Sequence, residues 1–298
     1  MLLSIIIVSH NTKKLLKQCI ESIIKSKRNS VASFSETKKY ARSRSRNNWE
    51  IIVVDNHSTD GTREWLKKLQ NSKTPNKFQI IFNKENVGFA KANNQGIKIT
   101  KGKYVMFLNP GIRLLPGTIK QLIVASKKKD AGIVAPKLLE KKSKKSQASC
   151  FRRQSAVNAF QKYIPRGGFS TVVDAVVSTV MLVPKSVIDV VGLFDERYSL
   201  YYKDLDYCRR VKKAGFSVYY VPQAKVVYQA GGKIKNKQEL VIESKKFYGF
   251  LKYYLIRLSG GLNNFRPRRF SFVKIAVIIM LATAVTCLLF WWVLPNVL

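Results

Sequence analysis

Through its first half this sequence alternates short apolar runs with amphipathic stretches, and few folds accept that rhythm. "LLSIIIVS" reads as a first buried strand, with no basic leader or small-residue cleavage site around it. "TKKLLKQCIESIIKS" then sets Leu15, Leu16, Cys19, Ile20 and Ile23 at helical spacing. "WEIIVVD", Trp49 to Asp55, is a second strand, and "STDGTREWLKKLQ" opens with capping residues and continues as a helix. "FQIIFN", "GFAKANNQGIKIT" and "KYVMFLN" add a strand, a helix and a strand. Such a β-α-β-α order predicts an α/β, Rossmann-like, doubly wound domain. Its sheet is expected to be mostly parallel, with right-handed crossovers and helices on both faces.

The remainder is less regular. Asn29 to Asn48 is a Ser/Arg/Lys-rich loop, and Glu140 to Gly168 is polar enough to read as flexible. Val172 to Pro184 is strand-like, "YKDLDYCRRVKKAG" is a helix closed by Gly215, and "FSVYYVPQAKVVYQ" supplies the last strands. Glu239 to Leu258 has the composition of an amphipathic helix lying on a membrane interface. Phe272 to Leu294 carries one charge, Lys274, at its start. An uncharged apolar stretch of roughly 20 residues spans a bilayer. "RPRRF", Arg266 to Phe270, precedes it, so the bulk of the chain is expected in the cytoplasm of a single-pass membrane protein. The expected partition is a domain over 1–232, a juxtamembrane segment over 233–270 and a transmembrane helix over 271–295.

Charge narrows the partners. There are 54 Lys and Arg against 17 Asp and Glu, a formal charge of +37. That field favours anionic lipid, diphosphate-bearing ligands or nucleic acid. A lysine-rich chain with solvated faces accounts for it equally well. No helix-turn-helix, RNP-type strand or zinc motif is present, so nucleic acid is not expected. The four cysteines are dispersed, as in a reduced protein without a zinc site. Two histidines, His10 and His57, exclude a His-rich metal cluster. Neither a G-x-G-x-x-G nor a Walker A loop occurs.

Candidate functional residues gather at the ends of the predicted strands. Ser9, His10 and Asn11 close the first. Asp55 ends the second, followed by a turn holding Ser58 and Asp60. Gly88, Lys91 and Asn94 lie on the first turns of a helix that points at the same crevice. An acid beside helix N-termini suits recognition of a nucleoside while N–H groups meet anions. Asp60 reads equally well as a helix cap. "LNPG", Leu108 to Gly111, ends the fourth strand in a turn bearing Asn109 and Gly111.

These segments resemble the family 2 glycosyltransferases, of GT-A fold, and most closely the rhamnosyltransferase-like branch. The matching text is "SIIIVSHNT", "IIVVDNHSTDGT", "NVGFAKANNQGI", "GKYVMFLNPG", "GLFDERYSLYYKDLDYCRRVKKAGF" and "VYYVPQAKVVYQAGG", in family order from Met1 to about Gly232. The resemblance implies transfer of a sugar from a nucleoside-diphosphate donor to an acceptor hydroxyl, usually with inversion. A polysaccharide or lipid-linked glycan of the cell envelope is the implied acceptor. It implies that Ser9, His10, Asn11, Asp55, Ser58, Gly88, Lys91, Asn94, Asn109 and Gly111 bind the nucleotide. It implies Asp204 as catalytic base, with Asp206 as a second acid or as a salt-bridge partner of Arg209 or Arg210.

The chain departs from the family at several positions. The branch has Asn-Pro-Asp where this chain has Asn109-Pro110-Gly111, and the final acid binds a divalent metal. Tyr228 and Gln229 stand in the segment that commonly carries a histidine. Lys203 replaces the acid before Asp204, and Val177-Ser178-Thr179 replaces a Ser-Gly-Ala turn. Binding of Mg²⁺ or Mn²⁺ is therefore expected to be weak or absent. Two accounts follow. In one, Lys203, Arg113 and Lys91 supply the missing positive charge, although Lys203 would weaken Asp204 as a base. In the other, the domain binds nucleotide or glycan, or supports a partner enzyme, without catalysis.

Overall fold

The computed structural model describes residues 2–32, 49–71, 77–141, 143–153, 160–198 and 202–229. All of them fall within the unit Met1–Tyr253. The amphipathic segment and the membrane span expected after residue 232 lie outside the described residues, as does most of the Asn29 to Asn48 loop. No helix among the described residues is long and apolar enough to cross a membrane.

The elements follow in the order β1 (Leu3–Ser9), α1 (Lys13–Ala32), β2 (Trp49–Asp55), α2 (Thr62–Gln70), β3 (Lys77–Phe82), α3 (Phe89–Lys98) and β4 (Tyr104–Leu108). Then come β5 (Ile112–Leu114), α4 (Thr118–Ala125), β6 (Ala131–Glu140), β7 (Cys150–Arg153), β8 (Phe160–Tyr163), β9 (Thr171–Val173) and β10 (Ala175–Val176). β11 (Val180–Pro184), α5 (Lys185–Val191), α6 (Lys203–Lys213) and β12 (Ser217–Tyr228) complete them. The main sheet has the order β3-β2-β1-β4-β11-β6-β12-β5, with β9 also on β12. β10, β7 and β8 form a second, three-stranded sheet.

Successive residues of a strand face opposite sides, and β1 uses both. Leu3, Ile5 and Ile7 pack with Leu16, Cys19 and Ile23 of α1, Leu66 of α2, and Ile119 and Leu122 of α4. Ile6 faces the other layer, with Ala90, Ala92 and Ile97 of α3, Ile188 of α5, and Leu205 and Val211 of α6. Full burial of one such aliphatic side chain contributes about 1.5–3 kcal/mol. α4 and α5 span 8 and 7 residues, too short to persist alone, so packing on the sheet holds them.

The expectation of a mostly parallel sheet applies to β3-β2-β1-β4 and to the β6–β12 pair, and fails at the remaining pairings. β11 runs antiparallel to both β4 and β6, and β5 and β9 run antiparallel to β12. A strand buried on both faces reads alike in either direction. The connection decides, and the chain reaches β11 through the short turn after β10 instead of a crossover helix. The polar stretch read as flexible carries β7 and β8, paired to each other and to β10. The strand-like run from Val172 breaks into β9, β10 and β11.

Candidate functional site

The C-terminal ends of β1, β2 and β4 meet at one edge, because Ser9 is in register with Asp55 and Ile7 with Leu108. Hydrogen bonds between neighbouring turns hold this edge. Asn56 N donates to Ser9 O (2.7 Å). His10 Nδ1 lies 2.8 Å from Asn56 O. A carbonyl only accepts, so that ring nitrogen carries a proton. Asn11, at φ 50°, donates its N–H to Ser58 Oγ (3.0 Å) and accepts from Thr59 N at Oδ1 (2.8 Å). Asp60 proves to be a cap for two helices. Its carboxylate accepts from Thr62 N (3.1 Å) at the start of α2 and from Lys13 N (3.0 Å) at the start of α1. Burial pushes its pKa up, but the bonds from Thr62 and Lys13 outweigh that and hold it below the ordinary value.

Asp55 is fully buried. Its Oδ2 accepts from Ser58 N (3.2 Å) and lies 3.4 Å from Arg63 Nη1. Oδ1 has no hydrogen-bond partner among the described residues. A buried acceptor left unpaired costs about 1–3 kcal/mol, so Oδ1 is an acceptor that a water or a ligand N–H would satisfy.

The adjacent wall is an amide network absent from the candidates drawn from sequence. Asn56 Nδ2 donates to Asn86 Oδ1 (2.7 Å), and Asn56 Oδ1 accepts from Val87 N and Asn83 Nδ2, both at 3.1 Å. Asn83 and Gln95 exchange two amide bonds of 3.0 Å. Gly88, at φ 82°, caps α3 in a backbone region that disfavours side chains. Lys91 stands exposed on the first turn of that helix. Asn94 does not belong with them. It is buried, and its amide is spent on Phe194 N (2.9 Å), Phe194 O (2.9 Å) and Glu196 Oε1 (2.9 Å). It clamps α3 to the segment before α6. Helical spacing cannot reveal this, since Asn94 and Phe194 are 100 residues apart.

The other wall starts at the turn after β4. Asn109 Oδ1 accepts from Gly111 N (2.9 Å), and Asn109 N donates to Thr179 O (2.9 Å). The next residue in that turn, Ser178, donates its N–H to Asp204 Oδ2 (3.2 Å), while Asp204 Oδ1 accepts from Leu205 N (3.1 Å). The positions 109, 179, 178 and 204 thus form one chain of contacts. Lys203 is 7% exposed, with Nζ 4.4 Å from the Phe89 ring centroid. Burial lowers the pKa of its ammonium, opposed by the neighbouring Asp204. Phe89 lies next to Gly88, so Lys203 joins the two walls. Asp206 is held by Arg210 Nε at 2.8 Å, the salt bridge anticipated at helical spacing.

Gly111 carries no side chain, and the fold leaves no room for one. A Cβ there would come 2.5 Å from Gln229 O and 3.3 Å from Asn109 Oδ1. Gln229 N also donates to Gly111 O (2.8 Å), which fixes the close approach. No group of three or more His, Cys, Asp or Glu able to hold a metal occurs among the described residues. The turn therefore does not fit a divalent cation bound through a carboxylate at position 111. Arg113 lines a separate cavity together with Lys25, Lys141 and Lys144. Burial raises the thiols of Cys150 and Cys208 to about 12, so neither offers a thiolate nucleophile.

Comparison with known proteins bears on the family and the fold. Residues 4–174 match the sequence profile of glycosyl transferase family 2. The dTDP-rhamnosyl transferase RfbF of Shigella flexneri is 25% identical over 189 residues, 62% of each chain. An N-acetylglucosaminyl-diphospho-decaprenol L-rhamnosyltransferase of Mycobacterium tuberculosis is 27% identical over 207 residues, 60% of this chain and 66% of that protein. The matched region thus spans less than two thirds of either relative. Among solved structures, GalNAc-T7 with UDP, GalNAc and Mn²⁺ superposes with a TM-score of 0.60 at 16% identity, covering 78% of this chain and 44% of that one. At that identity the likeness concerns the fold, a mixed α/β architecture of GT-A type.

Proposed function

Because the chain belongs to glycosyl transferase family 2, we propose that it transfers a sugar from a nucleoside-diphosphate donor to a glycan or lipid-linked acceptor, with inversion. The observation that carries this reading is Asp55, whose buried Oδ1 awaits a donor. A nucleobase N–H supplies one. The turns at Ser9–Asn11 and Asn86–Gly88 frame the rest of the nucleoside. Lys203 and Lys91 provide positive charge for the departing diphosphate, the electrostatic task that such reactions need filled. Asp204 takes the acceptor's hydroxyl proton as the new glycosidic bond forms and the bond to diphosphate breaks. A single displacement of this kind inverts the anomeric carbon. No step passes through a metal.

Screening sugar nucleotides with and without EDTA tests the reading. Transfer that resists EDTA is expected, and Asp55→Asn should weaken nucleotide binding about tenfold, the scale of one lost hydrogen bond to a charged group. Nucleotide binding without transfer from any donor would overturn the catalytic reading, and strong Mn²⁺ dependence would overturn the metal-free one. The same proposal tethers the domain to the cytoplasmic face of a membrane through residues 271–295, on the strength of their sequence. Removing the residues after Phe270 should release the protein from the membrane fraction, and continued sedimentation would count against the tether.

A further inference from the structure

A second cavity, of about 480 Å³, opens between α1, β5 and the turn after β6. Lys25, Arg113, Lys141 and Lys144 line it, with Glu21 as the acid among its lining residues. Among the described lining residues, four cations stand against one carboxylate. Among the described residues none of the four has a carboxylate within salt-bridge distance or an aromatic ring beneath it. Their backbone frame is fixed. Leu114 N donates to Ser22 Oγ (3.1 Å), which ties β5 to α1. Lys144 N donates to Glu140 O (3.0 Å) and Glu140 N to Lys145 O (2.9 Å), which holds the turn bearing Lys141 and Lys144. Gln18 also lines the cavity, and its Oε1 is without a hydrogen-bond partner among the described residues.

Another basic cavity, of about 700 Å³, shows that lysines alone do not make such a site. It is lined by Lys101, Lys103, Lys127, Lys128, Lys129 and Lys185. There Lys185 pairs with Asp189 at 2.5 Å, Lys128 lies 4.2 Å from the Tyr219 ring centroid and Lys103 lies 6.0 Å from that of Tyr104. Several of its charges are thus already engaged, whereas the four cations lining the smaller cavity have no such partner among the described residues.

We propose that the cavity at Arg113 is an anion site for a diphosphate group, distinct from the nucleotide crevice. Its lining includes none of Ser9, His10, Asn11, Asp55, Gly88, Asn109, Gly111 or Asp204. An Arg fork among lysine ammonium groups matches phosphate oxygens, and a concave wall concentrates their field. The volume suits a small phosphorylated ligand better than a lone ion. The diphosphate is either free in solution or the headgroup of a lipid.

Lysine acetylation read by mass spectrometry, on the full chain in detergent micelles, tests this residue by residue. Inorganic pyrophosphate should protect Lys25, Lys141 and Lys144 at concentrations about tenfold below those that protect Lys101, Lys103 and Lys127. Arg113→Gln removes a lining cation without removing a reporter lysine. It should raise the half-protecting concentration about tenfold, the scale of one charge-assisted hydrogen bond. Repeating the titration with farnesyl diphosphate separates the sources. Protection at lower concentration than pyrophosphate assigns the site to a lipid headgroup, and equal protection to a soluble diphosphate. Uniform protection of both lysine clusters, or no shift in Arg113→Gln, overturns the proposal.

Discussion

The two walls of the crevice are built in different ways. The wall over β1, β2 and α3 is a lattice of side-chain amides and carboxylates: Asn11, Asn56, Asn83, Asn86, Gln95 and Asp60 each bond to a neighbouring turn. The wall over β4, β11 and α6 is mostly backbone, with Asn109 N on Thr179 O, Ser178 N on Asp204 and Gln229 N on Gly111 O. A lattice of side chains fixes the shape of its wall and tolerates little change. A backbone frame lets side chains drift while the geometry persists, and this is the wall that carries Gly111, Lys203 and Gln229.

The contrast is sharpest at Asp204, whose loss should cost the most. Asp204→Ala should lower the rate of sugar transfer about 10²–10⁴-fold, as loss of a general base does, while nucleotide affinity stays within a factor of about two. Steady-state kinetics beside calorimetric titration of the nucleotide checks this, and an equal fall in both would dissolve the division between the walls.

Gly111→Asp probes the backbone wall directly. The added Cβ meets Gln229 O, so the variant should lose about 1–3 kcal/mol of stability, the usual cost of overpacking. It should gain no Mn²⁺-dependent transfer. A stable variant that acquires metal dependence would show that the wall yields more readily than its geometry implies.

Asn94→Ala tests the side-chain lattice at a point away from the crevice. It strands the backbone groups of Phe194, for a loss of about 1–3 kcal/mol in urea denaturation. Nucleotide affinity in the folded protein should not change, because the Asn94 amide is spent internally.

Lys203→Met, at the junction of the walls, should have the smallest effect on stability and a distinctive dependence on pH. Burial lowers the pKa of Lys203 below its ordinary 10.5. Between the lowered value and 10.5 the unfolded chain holds more protons than the folded one, so stability rises with pH across that window. The variant should remove this rise and be stable at neutral pH to within about 1 kcal/mol of the parent or better. Urea midpoints at two pH values decide it. Sugar transfer should fall with the loss of charge beside the diphosphate.

Much of this molecule could be read before its shape was known. Each strand and helix up to Leu108 follows from apolar runs alternating with helical spacing, since local pattern and burial agree there. Asp55 was legible because it ends an apolar strand and precedes a capped helix. Asn56, Asn86 and Gln95 were not, because their partners come from separate turns and no periodicity marks them. The direction of β11 was hidden for a related reason, as a strand buried on both faces carries no sign of which way it runs.

The sequence by itself determined the layered α/β domain, the excess of positive charge and the absence of a carboxylate at position 111, since each is a property of residue type or local spacing. Only the tertiary structure decided that no carboxylate can be added at Gly111 without displacing Gln229. It alone assigned Asn94 to packing and Asp60 to capping, and set Lys203 against Phe89 beside Asp204. Those outcomes depend on contacts between residues far apart in the chain, whose distances are fixed only when the two layers close on the sheet.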